Sequence, residues 1–122
     1  MKTHRSVIIL LAVVVSLSLT LSAKRAPPQP VAPVFQNNVK YSAAGDGRTG
    51  IVIASDASSG KELWRVEIFR VDYNPRLEED VQDVYITELK LEDNRLLVKD
   101  EKLRCYLVDL STRRVKRKLL CF

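Results

Sequence analysis

The sequence predicts a small, mainly β domain: an antiparallel sheet of five to seven strands, behind an N-terminal export signal. Three observations carry this. The first 23 residues follow the charge and hydropathy order of a secretory signal. After residue 50, β-branched and aromatic residues come in short runs. The gaps between those runs are made of turn-forming residues.

Lys2 and Arg5 give the chain a positive start. Residues 7–21, VIILLAVVVSLSLTL, carry no charge, and Ser22 and Ala23 supply small residues before Lys24-Arg25. In such a segment the charge stays cytoplasmic while the apolar run enters the membrane. Cleavage is expected after Ser22 or Ala23. The apolar run is 15 residues long, short of the roughly 20 that a spanning helix needs. A removable signal helix over 1–23 is therefore expected, with a retained single-pass anchor as the alternative. No Cys near the run invites lipid modification. The destination is the periplasm or the extracellular space, and any membrane contact goes through an uncleaved signal.

Residues 24–33, KRAPPQPVAP, hold four of the five prolines and read as an extended linker. The β domain is expected over 34–122, small enough to fold alone only marginally. Its strand-like runs are GIVIAS at 50–55, ELWRVEIFRV at 62–71, DVYITELKL at 83–91, RLLVK at 95–99, LRCYLVDL at 103–110 and the segment 113–120. Turn signals separate them at 55–60, 92–94, 100–102 and 111–112. The run 62–71 is apolar on both faces, as in a strand covered on both sides. One short helical turn is expected near 75–82. Asn74 can cap it, Pro75 suits its first position, and Glu78, Glu79 and Asp80 favour its N-terminal end.

The whole chain carries +5, and loss of Lys2 and Arg5 leaves +3. Residues 72–101 hold ten acids against Arg76, Lys90, Arg95 and Lys99, a net −6. Residues 102–122 hold seven basic side chains against Asp109, a net +6. The asymmetry reads as complementarity between neighbouring segments. No nucleic-acid site is expected, because the basic run at 113–118 has no aromatic interleaving.

His4 is the only histidine and departs with the signal. That removes Ser-His-Asp and Cys-His nucleophilic catalysis and histidine metal sites together. No enzyme activity and no cofactor are expected. Gly45-Asp46-Gly47-Arg48-Thr49-Gly50 spells G-x-G-x-x-G, but Ile51-Val52-Ile53 is a poor helix start. A dinucleotide loop needs a helix there, so the glycines read as a turn between strands. Asp72, Asn74, Glu78, Glu79, Asp80 and Asp83 match no EF-hand spacing and read as a solvated acidic turn. Trp64, Phe69, Tyr73, Tyr85 and Tyr106, at strand spacing, read as sheet packing. A carbohydrate- or peptide-binding face is the alternative.

Cys105 and Cys121 would meet an oxidising compartment, so a disulfide is possible. A hairpin about Ser111-Thr112 sets Cys105 opposite Lys118 and Cys121 opposite Lys102. That leaves the pair three positions out of register, and a bridge needs the tail to curl back.

Residues 56–64 read Asp-Ala-Ser-Ser-Gly-Lys-Glu-Leu-Trp. This resembles the tryptophan-docking repeat of the pyrroloquinoline-quinone-type β-propellers, with Asp56, Ser59, Gly60, Lys61 and Trp64 on the motif positions. The resemblance implies that Asp56 and Ser59-Gly60 shape a turn between the last two strands of a blade. It also implies that Trp64 packs on the neighbouring blade. A fainter echo starts 53 residues later at Asp109, with Arg113 in place of the glycine and no Trp. Residues 84–120 then look like one four-stranded blade preceded by half of another. The quinone chemistry does not carry over, since its ligands come from blades this chain has no room for. The expected role is a non-enzymatic envelope domain for protein contact or self-association. The alternative is a small module binding calcium, carbohydrate or peptide.

Overall fold

The computed structural model describes residues 28–121. The signal segment 1–23 and the start of the linker lie outside them. Among the described residues no helix is long and apolar enough to cross a membrane. Residues 28–33 form neither helix nor strand, and the first strand begins at Val34.

The chain is mainly β, and the described residues form eight strands rather than five to seven, in two sheets rather than one. Strands β1 (Val34–Gln36), β2 (Val39–Gly45), β3 (Thr49–Asp56) and β4 (Glu62–Arg70) form the first sheet. Strands β5 (Ile86–Glu92), β6 (Arg95–Asp100), β7 (Cys105–Asp109) and β8 (Val115–Lys118) form the second. Each sheet is an antiparallel meander in sequence order. What the sequence suggests is half a sheet before 84–120 is therefore a whole one. The missing half is β1 and β2, joined by Asn37-Asn38, both with positive φ (52° and 60°). That is the mirror-image turn a two-residue hairpin needs, and Asn tolerates it.

The glycine motif makes the β2–β3 turn. The Asp46 carboxylate accepts the Arg48 and Thr49 backbone N–H groups, both at 3.0 Å. β3 follows directly, so no helix opens behind Gly50. Gly50 itself is required by packing: a Cβ there would strike the Phe69 ring.

The core lies between the sheets. Tyr41, Val52, Ala54 and Ile68 from the first meet Ile86, Leu89, Leu96, Val98, Tyr106 and Val108 from the second. Phe69 stacks on Tyr106 across this boundary, with centroids 5.6 Å apart. Burying a side chain as completely as Leu96 stabilises by about 1.5–3 kcal/mol. Asp100 is the buried charge. Its carboxylate accepts the Lys102 and Arg104 N–H groups (2.9 and 3.0 Å), Arg104 Nε (2.8 Å) and the Tyr106 hydroxyl (3.2 Å).

The helical turn, α1, covers only Glu79–Gln82. Asn74 does not cap it. Its side chain accepts the Arg76 N–H at 3.0 Å, making a local turn that competes with helix. Gln82 ties the loop together, donating to the carbonyls of Asn74 (3.0 Å) and Glu78 (3.1 Å) and accepting the Asn74 N–H at 2.6 Å.

Candidate functional site

Asp56, Ser59, Gly60 and Lys61 form the β3–β4 turn, and Trp64 lies just inside β4. The Asp56 carboxylate accepts the Ser58 and Ser59 N–H groups at 2.9 and 2.8 Å. The Gly60 N–H donates to the Asp56 carbonyl and the Asp56 N–H to the Lys61 carbonyl, both at 2.8 Å. The Ser59 hydroxyl accepts the Lys61 N–H at 3.2 Å. Gly60 closes the turn at φ 76°, where glycine carries no steric penalty.

The same five bonds recur at Asp109. Its carboxylate accepts the Ser111 and Thr112 N–H groups at 2.8 and 2.9 Å. The Arg113 N–H donates to the Asp109 carbonyl at 2.6 Å, and the Asp109 N–H to the Arg114 carbonyl at 2.9 Å. The Thr112 hydroxyl accepts the Arg114 N–H at 3.4 Å. Arg113 holds the Gly60 place at φ 63°. The bonds behind the turn also recur. Asn38 accepts the Ala57 N–H at 2.8 Å and meets the Ser58 hydroxyl, while Asn94 accepts the Leu110 N–H at 3.0 Å and meets the Ser111 hydroxyl. Asn94 falls in the 92–94 turn signal, while Asn38 lies before the 50–122 strand pattern. Their signal is the Asn-Asn and Asp-Asn dipeptides that open each meander.

In both turns the N–H groups favour the charged carboxylate. The Ser59 N–H first, then Ser58, holds the Asp56 carboxyl below its ordinary range. The Thr112 N–H, then Ser111, does so for Asp109.

The registers superpose strand on strand. Val39 pairs with Asp56 as Arg95 pairs with Asp109; Tyr41 pairs with Ala54 as Leu97 pairs with Leu107; Ala43 pairs with Val52 as Lys99 pairs with Cys105. Trp64 stands opposite Ala54, and Lys116 opposite Leu107. The two sheets nevertheless meet through opposite faces of this common pattern. The first sheet buries Val52 and Ala54 in the core; the second buries Tyr106 and Val108, one position out of phase. Each sheet thus leaves a different face turned outward.

Trp64 is half-buried against the core at this junction. Its ring meets Tyr41 at 6.0 Å, and the Arg113 guanidinium of the second sheet sits 5.3 Å above it. Nothing in the sequence pattern marks Arg113 for this contact, because it joins the two sheets.

The outward face of the second sheet carries Arg95, Leu97, Lys99, Cys105, Leu107, Lys116 and Lys118, with Glu88, Lys90 and Glu92 of β5 opposite Lys99, Leu97 and Arg95; Leu97 and Cys105 are themselves buried. Cys105 faces Lys118 as the hairpin reading requires, and the tail does curl back: Cys105 and Cys121 are disulfide-bonded with Cα atoms 5.3 Å apart. β8 ends at Lys118, which frees three residues to make the return. The bond pins Leu119 and Leu120, 97% and 73% exposed, beside this face. Two adjoining open grooves of about 420 and 440 Å³ share Arg95, Leu107 and Lys116 as lining.

The acidic loop is dispersed. Asp83 accepts the Tyr73 hydroxyl, and the Arg48 guanidinium lies 4.4 Å over the Tyr73 ring. Among the described residues no group of three or more His, Cys, Asp or Glu side chains is placed to hold a metal ion. No protein-family model matches the chain, and no curated protein matches it.

Proposed function

We propose that this chain is an exported, non-enzymatic contact domain that assembles with copies of itself or with a partner protein in the cell envelope. The reading is that the two sheets are consecutive blades of a propeller-like repeat. The observation that carries it is the face pairing. One blade's Val52–Ala54 face packs on the next blade's Tyr106–Val108 face. A stack built this way ends in two unlike faces, each without a neighbouring sheet among the described residues. Closed propellers satisfy every face by running to about four to eight blades, and two blades do not close. Phe35, Ile51 and Ile53 on the outward face of the first sheet supply apolar contact area. The disulfide, the signal-like N-terminus and the absence of histidine after residue 4 fit an exported, non-catalytic role.

The test is light scattering on the protein expressed as the full chain and isolated after export. The expected result is a mass that rises above one chain with concentration in the micromolar range. A single-chain mass throughout, with a folded spectrum and no protein partner co-isolated from the envelope, overturns the reading.

A further inference from the structure

We propose that the outward face of the second sheet is a docking groove for the acidic 72–83 loop of a second copy of this chain. The proposal rests on the assembly reading above and names its surfaces.

The groove does not suit another sheet. At the positions where the first sheet's packed face carries Val39, Ala43, Trp64 and Val66, the second sheet carries Arg95, Lys99, Lys116 and Lys118. Lys99 is ion-paired with Glu88 at 3.9 Å, so Arg95, Lys116 and Lys118 are the groove's cations. Charges in place of packing groups oppose sheet-on-sheet stacking, as they do on protected sheet surfaces. The centre stays apolar through Leu107, with Leu119 and Leu120 held beside it by the disulfide. Asp109, the acid in the lining, already holds the Ser111 and Thr112 N–H groups. A cationic rim around leucines calls for an occupant that is both acidic and apolar.

The chain carries one. Between β4 and β5, Glu78, Glu79 and Asp80 lie among Leu77 and Val81, which are 55% and 64% exposed. The helical turn α1 buries none of its residues. Glu78 and Glu79 match the groove's cations, and the exposed leucine and valine match Leu107, Leu119 and Leu120. Groove and loop sit at different places on one molecule, so the contact is head-to-tail and builds rings or chains rather than a self-facing pair.

Sedimentation velocity tests this with three proteins: the wild type, a groove variant (Lys116→Glu with Lys118→Glu) and a loop variant (Glu78→Lys with Glu79→Lys). The wild type is expected to associate at about 20 mM salt and to weaken at about 0.5 M, where charges are screened. Each variant alone is expected to lose association by at least about tenfold, and an equimolar mixture to regain it, because each supplies the half the other lacks. Lys116→Ala and Glu79→Ala, milder changes at exposed positions, are expected to show the same direction if a double variant folds poorly. Association that persists in both variants and at high salt overturns the loop-to-groove contact while leaving assembly standing. Loss in both without recovery in the mixture also overturns it. A wild type that stays single under all conditions overturns this contact directly, and co-isolation of a different protein would then leave only the broader reading.

Discussion

The Asp56 turn and the Asp109 turn make the same five bonds, yet one leads into a strand that carries tryptophan and the other into a strand of lysine and arginine. The backbone pattern is kept while the side chains on one face change from apolar to cationic. Turn geometry depends on a carboxylate, a hydroxyl and one residue at positive φ, all local. Face chemistry depends on what the sheet is set against. The first sheet's inner face is set against the second sheet. Among the described residues, the second sheet's equivalent face has the disulfide-pinned tail beside it, and cations stand on it.

The largest expected difference lies in the β2–β3 and β6–β7 turns, which rest on an exposed and a buried aspartate respectively. Asp100→Ala strips the Arg104 and Tyr106 side chains and two N–H groups of their partner, and is expected to cost about 3–5 kcal/mol by urea denaturation. Asp46→Ala, at the corresponding exposed turn, is expected to cost much less. An equal loss at both would break the comparison.

Next comes the tail. Cys105→Ser with Cys121→Ser opens a loop with a sequence separation of 16 residues and is expected to cost about 3 kcal/mol. Reduction of the wild type should reproduce most of that loss.

Smaller again is the Trp64 position. Trp64→Ala is expected to cost about 2–3 kcal/mol, below a full core truncation because the ring is half-buried. Lys116→Ala, on the equivalent place of the second sheet, is expected to stay within about 0.5 kcal/mol. The turns themselves give the smallest pair. Gly60→Ala meets no neighbouring atom but takes on a left-handed backbone, costing about 1 kcal/mol. Arg113→Gly is expected to be near neutral, since relief of that backbone offsets the lost contact with the Trp64 ring.

Acid should act alike on three aspartate turns. Asp46, Asp56 and Asp109 are held below the ordinary carboxylate range by backbone N–H groups. Their contribution is complete above the unfolded value near 4 and is lost as pH falls through the lower folded values. Melting temperature should therefore drop below about pH 4, and the Asp56→Asn, Asp109→Asn double variant should flatten that drop.

The sequence made the later strands legible because each was bracketed by Gly, Ser, Asp or Asn clusters. It also revealed the recurrence at Asp109, because turn bonds are set by neighbours within five residues. β1 and β2 escaped because a three-residue strand and the Ser-Ala-Ala stretch of β2 carry little β signal. Their hairpin marker was Asn37-Asn38. The opposite-face packing of the two sheets escaped for another reason: which face of Leu107 and Tyr106 turns inward is decided by the partner sheet. The helix cap at Asn74 failed because an Asx turn uses the same side-chain oxygen.

The face pairing is the claim on which the rest stands, and proton–proton contacts measured by NMR test it most directly. The account predicts contacts between the Phe69 and Tyr106 rings and between the Trp64 indole and the Arg113 side chain. Contacts confined within each sheet, or Trp64 in contact with Leu107 and Lys116 instead, would contradict it.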